Sequence, residues 1–310
     1  MDIFESKNIS PMLISEMMDP FDSEDYLYEI KWDGIRCISY LDKDTVMKNK
    51  RNKLMIPIFP ELTDLYKQVK VKCILDHELM VFKDGAPDFY EVQRRALMSD
   101  PFKIKLSLNK YPASIVVYDI LYYKDKEITM LPLIERKKYL EDTIEENNMI
   151  AISRYIETKG IQLFELAKNQ NLEGIVAKKK QSLYWQGKRT KDWIKCKIMA
   201  TDDCVVCGYI PKDNNMTSLV LGQYNREELV YRGHVTLGVS LRLLHQQGIK
   251  IINYSPFPHV PKGNEEATWI EPNLVCIVES MPTEKEAFRQ PVFKGFRDDK
   301  KPIECQSPLS

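Results

Sequence analysis

The period of the apolar residues changes repeatedly along roughly the first 200 residues, and this alternation limits the fold more than any other feature. Segments 71–82, 114–123, 173–179 and 193–198 are short apolar runs that read as strands. Segments 60–70, 88–98, 132–147 and 161–170 show helical spacing, with Pro60 and Pro132 at helix-start positions. Several strand pairs stand too close in sequence for crossover helices, so an α+β domain with antiparallel sheets is expected. Beyond about residue 200 the pattern shifts to short strands at 202–210, 217–225, 228–238 and 274–281, interrupted by one helical stretch at 239–248. Four or five short strands with an inserted helix predict a small β-barrel of the OB type. Two domains follow, 1–200 and 201–310.

Composition narrows the class. Hydrophobic residues make up 44% and charged residues 29%, as in ordinary globular proteins. No apolar run approaches membrane-spanning length, so no membrane association is expected. The N-terminal "MDIFESKNIS" lacks the basic and apolar regions of a signal peptide. Seven cysteines are scattered through strand-like runs, which predicts reduced thiols and a cytoplasmic location. Cys204 and Cys207 have C-x-x-C spacing but share a strand with Val205 and Val206, with no second pair nearby, which argues against zinc. Basic and acidic residues balance at 45 each, so phosphate binding requires concentrated positive charge. Segment 178–197 supplies it, with eight Lys/Arg, one acid (Asp192), and Tyr184, Trp185 and Trp193 between them.

Residues 26–41, "YLYEIKWDGIRCISYL", read as two strands about an Asp33-Gly34 hairpin turn, with Lys31 at its mouth. Alternation places Lys31 on one face with Leu27 and Glu29. Asp76 and Glu78 share a face of the 71–82 strand, opposite His77. Trp193, Lys195 and Lys197 share another, and two lysines so placed are costly unless they meet water or anions. Tyr118, Asp119 and Glu173 complete the set, although Glu173 also reads as a strand-end cap and Tyr118 as core.

The order of these motifs is distinctive: K-x-D-G-x-R (31–36), D-x-E-L (76–79), Tyr118-Asp119, E-G-I-V-A-K (173–178), W-I-K-x-K (193–197) and R-x-D-K (297–300). From about residue 10 to residue 304 the series resembles the covalent nucleotidyltransferase superfamily of ATP-dependent DNA ligases, RNA ligases and mRNA capping enzymes. The stretches "YWQGKRTKDWIKCK" and "FRQPVFKGFRDDKKP" look most like the ligase module of bacterial end-joining DNA ligases, here expected to stand alone.

The resemblance implies a nucleotidyltransferase (adenylation) domain followed by an OB-fold domain. It implies that Lys31 forms a phosphoramidate with AMP and that Arg36 and Arg51 hold the ribose and the 5′-phosphate of a nick. By the same resemblance Glu78 lies near ribose and metal, Tyr118 stacks on adenine, Glu29 helps read the base, and Glu173 is a metal-site acid. Lys195 and Lys197 would hold the α-phosphate, and Arg297 with Lys300 the leaving pyrophosphate. ATP and Mg2+ are the implied cofactors, with Mn2+ as an alternative. The implied partners are nicked double-stranded DNA and a Ku-like end-binding protein, for a monomer in the bacterial cytoplasm or nucleoid. A hinge near Ala200–Asp203 is implied as well. His77 and Lys53 stand where the family usually has glycine.

A free lysine, with a pKa of ~10.4, is protonated at neutral pH. Neighbouring cations penalise that charge and would activate Lys31, while also stabilising charge on the α-phosphate. An RNA ligase or a GTP-using capping enzyme shares this chemistry, and the ligase-like C-terminal stretch favours DNA over them. A non-catalytic OB-type binder explains the basic segment but not the ordered carboxylates and lysines. NAD+ is disfavoured as adenylate donor, because 30 residues before Lys31 are too few for a nicotinamide-recognising domain.

Overall fold

The mixed patterns of the first two hundred residues resolve into two sheets and their covering helices. The computed structural model describes residues 2–213, 216–237, 241–283 and 285–307, and the chain divides into two compact units, Met1–Lys197 and Ile198–Ser310. In the first unit the strands are β1 (Leu13–Met17), β2 (Tyr26–Ile30), β3 (Ile35–Leu41), β4 (Thr45–Asn49), β5 (Cys73–Lys83) and β6 (Ala86–Pro87). They continue as β7 (Ala113–Tyr123), β8 (Lys126–Glu127), β9 (Ile150–Ile152), β10 (Tyr155–Glu157), β11 (Gly174–Lys179) and β12 (Arg189–Lys197). The helices are α1 (Ile3–Ser6), α2 (Phe89–Ala96), α3 (Pro101–Lys110), α4 (Leu133–Thr143) and α5 (Gly160–Asn169).

One sheet has the order β1-β12-β11-β2-β10, the other β4-β3-β5-β7-β8, with β6 on β5 and β9 on β7. Pairing is antiparallel except for β1–β12 and β7–β9. The second sheet is covered on both faces, which is why β5 and β7 read as nearly unbroken apolar runs. Leu75, Leu79, Ile115 and Val117 pack with Leu62, Leu65, Val92 and Leu140 on one side. Ile38, Ile74 and Leu121 meet Leu27, Val176 and Trp193 of the first sheet on the other. Each such side chain contributes about 1.5–3 kcal/mol of burial free energy.

The hairpin expected at residues 26–41 does not form. β2 pairs with β10 and β11, whereas β3 pairs with β4 and β5, so residues 31–34 carry the chain from one sheet to the other. Gly34 answers to close packing. A Cβ there would stand 2.3 Å from the Leu79 carbonyl oxygen. Its φ is not positive, as the tight Asp-Gly hairpin turn requires.

Two helical segments also differ from expectation. Pro60–Gln68 is a 3-10 segment kinked at Asp64, and α4 stops at Thr143, where Ile144 turns extended and bridges to Val69. Helix α3, begun by the Asp100 cap and Pro101, was not anticipated, nor were β1 and β4.

The second unit contains β13 (Ala200–Lys212), β14 (Met216–Asn225), β15 (Glu228–Leu237), β16 (Thr268–Met281) and β17 (Arg289–Arg297) in the order β15-β14-β13-β16-β17. The Phe288 N–H, just before β17, donates to the Arg232 carbonyl of β15 at 3.0 Å, so the sheet curls until its two edges meet. Cys204, Val206, Leu219, Leu221, Cys276 and Val278 alternate inward to fill the barrel. Of the expected helix at 239–248, Leu241–His245 forms α6, while Val239 and Ser240 lie outside the described residues.

Ala200–Asp203, expected as a hinge, instead opens β13 in regular register with Ile277–Ser280 of β16. Paired backbone cannot absorb a large dihedral change without breaking its ladder. Ile198 and Met199, which carry no strand, join the units. All seven cysteines are buried free thiols. Among the described residues no helix is long and apolar enough to cross a membrane.

Candidate active site

Lys31 leaves β2 with its backbone N–H bonded to the Gly174 carbonyl at 2.9 Å. Gly174 has φ +138°, and a Cβ there would lie 2.1 Å from the Cys196 carbonyl oxygen. Only glycine lets β11 close against β12 at this point. Glu173 is thereby set beside two lysines: Lys31 Nζ lies 2.5 Å from one carboxylate oxygen and Lys197 Nζ 2.9 Å from the other. Burial works to raise the Glu173 pKa, but Lys31 and Lys197 outweigh it and hold the carboxyl below its usual value. Lys195, on the same face of β12 as Lys197, has its ammonium disfavoured by burial and then by Lys197 and Lys31. It meets no carboxylate at ion-pair distance among the described residues. Sequence reasoning surrounded Lys31 with cations, yet its hydrogen-bonded neighbour is an acid.

Glu78 on β5 faces the same space. Burial pushes its carboxyl up to about 8, with Asp76 and Glu173 adding to the rise against Lys31 and Arg36. It makes no hydrogen bond or ion pair among the described residues. Asp76 beside it takes Nε and Nη2 of Arg36 at 3.0 and 2.6 Å and accepts from the Tyr184 hydroxyl at 2.6 Å. Arg36 Nη1 donates to the Met12 carbonyl at 2.6 Å, so most of its donors are committed to protein.

A pocket opens between these groups, with Ile14, Val176, Tyr118 and Trp193 as apolar walls and Glu29, Lys31, Arg36, Glu78 and Lys178 as polar ones. Glu29 is buried and holds Lys137 of α4 at 2.6 Å and Lys178 of β11 at 3.1 Å. Burial opposes its charge, and the two lysines still keep the carboxyl below its usual value. Lys178 Nζ stands 4.5 Å from the Tyr118 ring centroid and 4.3 Å from that of Trp193. Burial, with Lys137, brings Lys178 down to about 8.

Of the residues singled out from sequence, Glu29, Lys31, Arg36, Glu78 and Tyr118 line this pocket, and Glu173, Lys195 and Lys197 adjoin Lys31. Arg51 does not join them; it is exposed in the turn after β4. Arg297 and Lys300 belong to the second unit, bound there to Asp203. The basic segment 178–197 is only partly a surface. Lys178 and Trp193 are interior, and Lys179, Lys188, Arg189 and Lys191 are its exposed cations. His77 is fully buried, 2.8 Å from the Ser39 hydroxyl, and brought down to about 4 by burial, so it packs as a neutral ring. Lys53 needs no glycine, since the left-handed residue of its turn is Asn52. Lys137 and the role of Lys178 were not visible in the sequence. The only signal was a cation within an otherwise apolar strand.

Residues 9–197 match the family model described as ATP dependent DNA ligase domain, and residues 212–300 the ATP dependent DNA ligase C terminal region. The chain belongs to the ATP-dependent DNA ligase family. It is 30% identical to the SPbeta prophage-derived DNA ligase-like protein LigB of Bacillus subtilis, an alignment covering 93% of this chain and 99% of that protein. It is 26% identical to the multifunctional non-homologous end joining DNA repair protein LigD of Mycobacterium tuberculosis, over 97% of this chain and 40% of that protein. The fold matches mycobacterial DNA ligase D complexed with ATP and MES at a TM-score of 0.55 and 24% identity, covering 96% and 98% of the two chains. The ligase thus pairs a nucleotidyltransferase domain with a C-terminal OB fold, uses ATP, and acts on DNA.

Proposed function

We propose that Lys31 attacks the α-phosphorus of ATP, so that a P–N bond forms while the bond to pyrophosphate breaks. AMP then passes to the 5′-phosphate of a nick in duplex DNA, and the adjacent 3′-OH displaces it to close the strand. The observation that carries this reading is the Lys31 amine at the edge of the pocket, held by Glu173 with Lys197 on the other oxygen. Glu173 must let go of Lys31 before the amine is free to attack. Lys195 and Lys197 stand ready for the charge that develops on the α-phosphate. Arg297 and Lys300 are assigned to the leaving pyrophosphate, and Arg51, exposed on its turn, to the DNA backbone.

A planar base fits between the aromatic and aliphatic walls, with its polar edge toward Glu29 and Lys178. A carboxylate accepts and an ammonium donates, and adenine offers the matching amino donor and ring-nitrogen acceptor. Guanine, with ring N–H and amino donors beside a carbonyl acceptor, can also meet a carboxylate and an ammonium, so the choice of ATP over GTP rests on the ATP-dependent DNA ligase match.

Glu78 and Glu173 would hold a divalent cation. Mg2+ draws on one or two carboxylates and completes its octahedron with water and phosphates. The unpartnered Glu78 carboxylate, protonated up to about 8 unless a cation meets it, supports that fit. Bound there, the ion would supply charge neutralisation at the phosphates.

The end-joining and DNA-repair name of the M. tuberculosis relative supports a repair role. A Ku-like recruiting partner, a monomeric state and the bacterial cytoplasm are proposed on the family resemblance alone. Incubation with α-labelled ATP or GTP, followed by a nicked duplex, tests the scheme. Label should enter the protein from ATP and leave it for the 5′ end of the nick; labelling from GTP alone would contradict it.

A further inference from the structure

We infer that Asp203 is a positioning residue that holds Arg297 and Lys300 in one fixed array on the second unit. The inference rests on the reading of those two cations as the group that orients the leaving pyrophosphate. Asp203 lies within β13, where it pairs with Ile277 of β16, whose other partner is Gly295 of β17. Its carboxylate is therefore anchored in a ladder, while Arg297 ends a strand and Lys300 follows in the loop beyond it.

One oxygen accepts from Arg297 Nη1 at 2.8 Å and the other from Lys300 Nζ at 2.5 Å. Asp299 takes Nε and Nη2 of the same guanidinium at 2.8 and 2.6 Å. A guanidinium has five N–H donors and an ammonium three, so both cations are oriented without being saturated. Two carboxylates also cancel the two positive charges, so the array offers geometry rather than net field. Long cationic side chains ordered in advance lose less freedom when they grip phosphate oxygens. A carboxylate that acted instead as a competitor for the cations would slow the reaction, and its removal would speed it. The two roles differ in sign.

The test is self-adenylation of the full chain with α-labelled ATP, followed against ATP concentration. Asp203→Asn should lower the maximal rate by about 10- to 100-fold with a smaller change in the half-saturating ATP concentration. Asp203→Glu should recover part of the loss, because the carboxylate is restored. In an Arg297→Ala/Lys300→Ala background, Asp203→Asn should change the rate by about twofold or less, since it acts through those side chains. A parental or faster rate for Asp203→Asn overturns the inference. So does a loss of equal size in both backgrounds, which marks a general structural role. If Arg297→Ala alone adenylates at the parental rate, the reading of the cations fails first and the inference falls with it.

Discussion

The Lys31 ammonium and the Glu173 carboxylate meet at 2.5 Å, on elements that the sequence separates by more than a hundred residues. The contact places the nucleophile and also occupies its amine, so Lys31 has to leave Glu173 before it reacts.

Replacing Glu173 by Gln keeps the shape and removes the charge. Self-adenylation should fall by about 10- to 100-fold, in line with a misplaced reacting group. Stability should fall by only about 1–3 kcal/mol, because both lysines retain contact with water. A parental adenylation rate for Glu173→Gln would show that the pair has no part in the chemistry. Loss of the thermal transition would make Glu173 a fold residue.

Glu78 carries a pH dependence of stability. Its carboxyl rises from 4.5 to about 8 on folding, so the folded protein binds the extra proton between those values. That contribution is complete below about 4.5 and is lost as pH climbs through about 8. Glu78→Gln cannot ionise and should keep it. The variant should match the parent in acid and exceed it near pH 9 by roughly 1–3 kcal/mol, the cost of burying an unpaired polar group. Thermal unfolding across that range decides, and equal curves at both ends would contradict the assignment.

Glu29 holds two ammonium groups in the interior. Glu29→Ala should therefore destabilise the protein by about 3–5 kcal/mol, since Lys137 and Lys178 would be buried without a counter-charge. Urea denaturation measures this. A loss below about 1 kcal/mol would mean that other groups take up the lysines.

The apolar period changes close to where the chain divides into its two units, and ordered motifs singled out Glu29, Lys31, Arg36, Glu78 and Tyr118, which the fold brings to one pocket. The hairpin at 26–41 was misread for a definite reason. Asp33-Gly34 carries a turn signature, but Gly34 is there to pass close to the Leu79 carbonyl, a demand set by a strand far along the chain. Lys137 was invisible for a similar reason. It follows Arg136 in α4, and nothing in helical spacing explains burying two adjacent cations until Asp119 and Glu29 are seen beneath them. Ala200–Asp203, expected as a hinge, gives no sign in sequence that β16 lies alongside it and pairs with it.

The most direct measurement of the central claim is the labelled adduct itself. The parent, given α-labelled ATP and Mg2+, should carry one label on the Lys31 amine, found by peptide mapping. Lys31→Ala and Lys31→Arg should carry none, the second because a guanidinium stays protonated and cannot act as the nucleophile. A stable labelled adduct in Lys31→Ala, or one mapped to another lysine of the parent, would contradict the account.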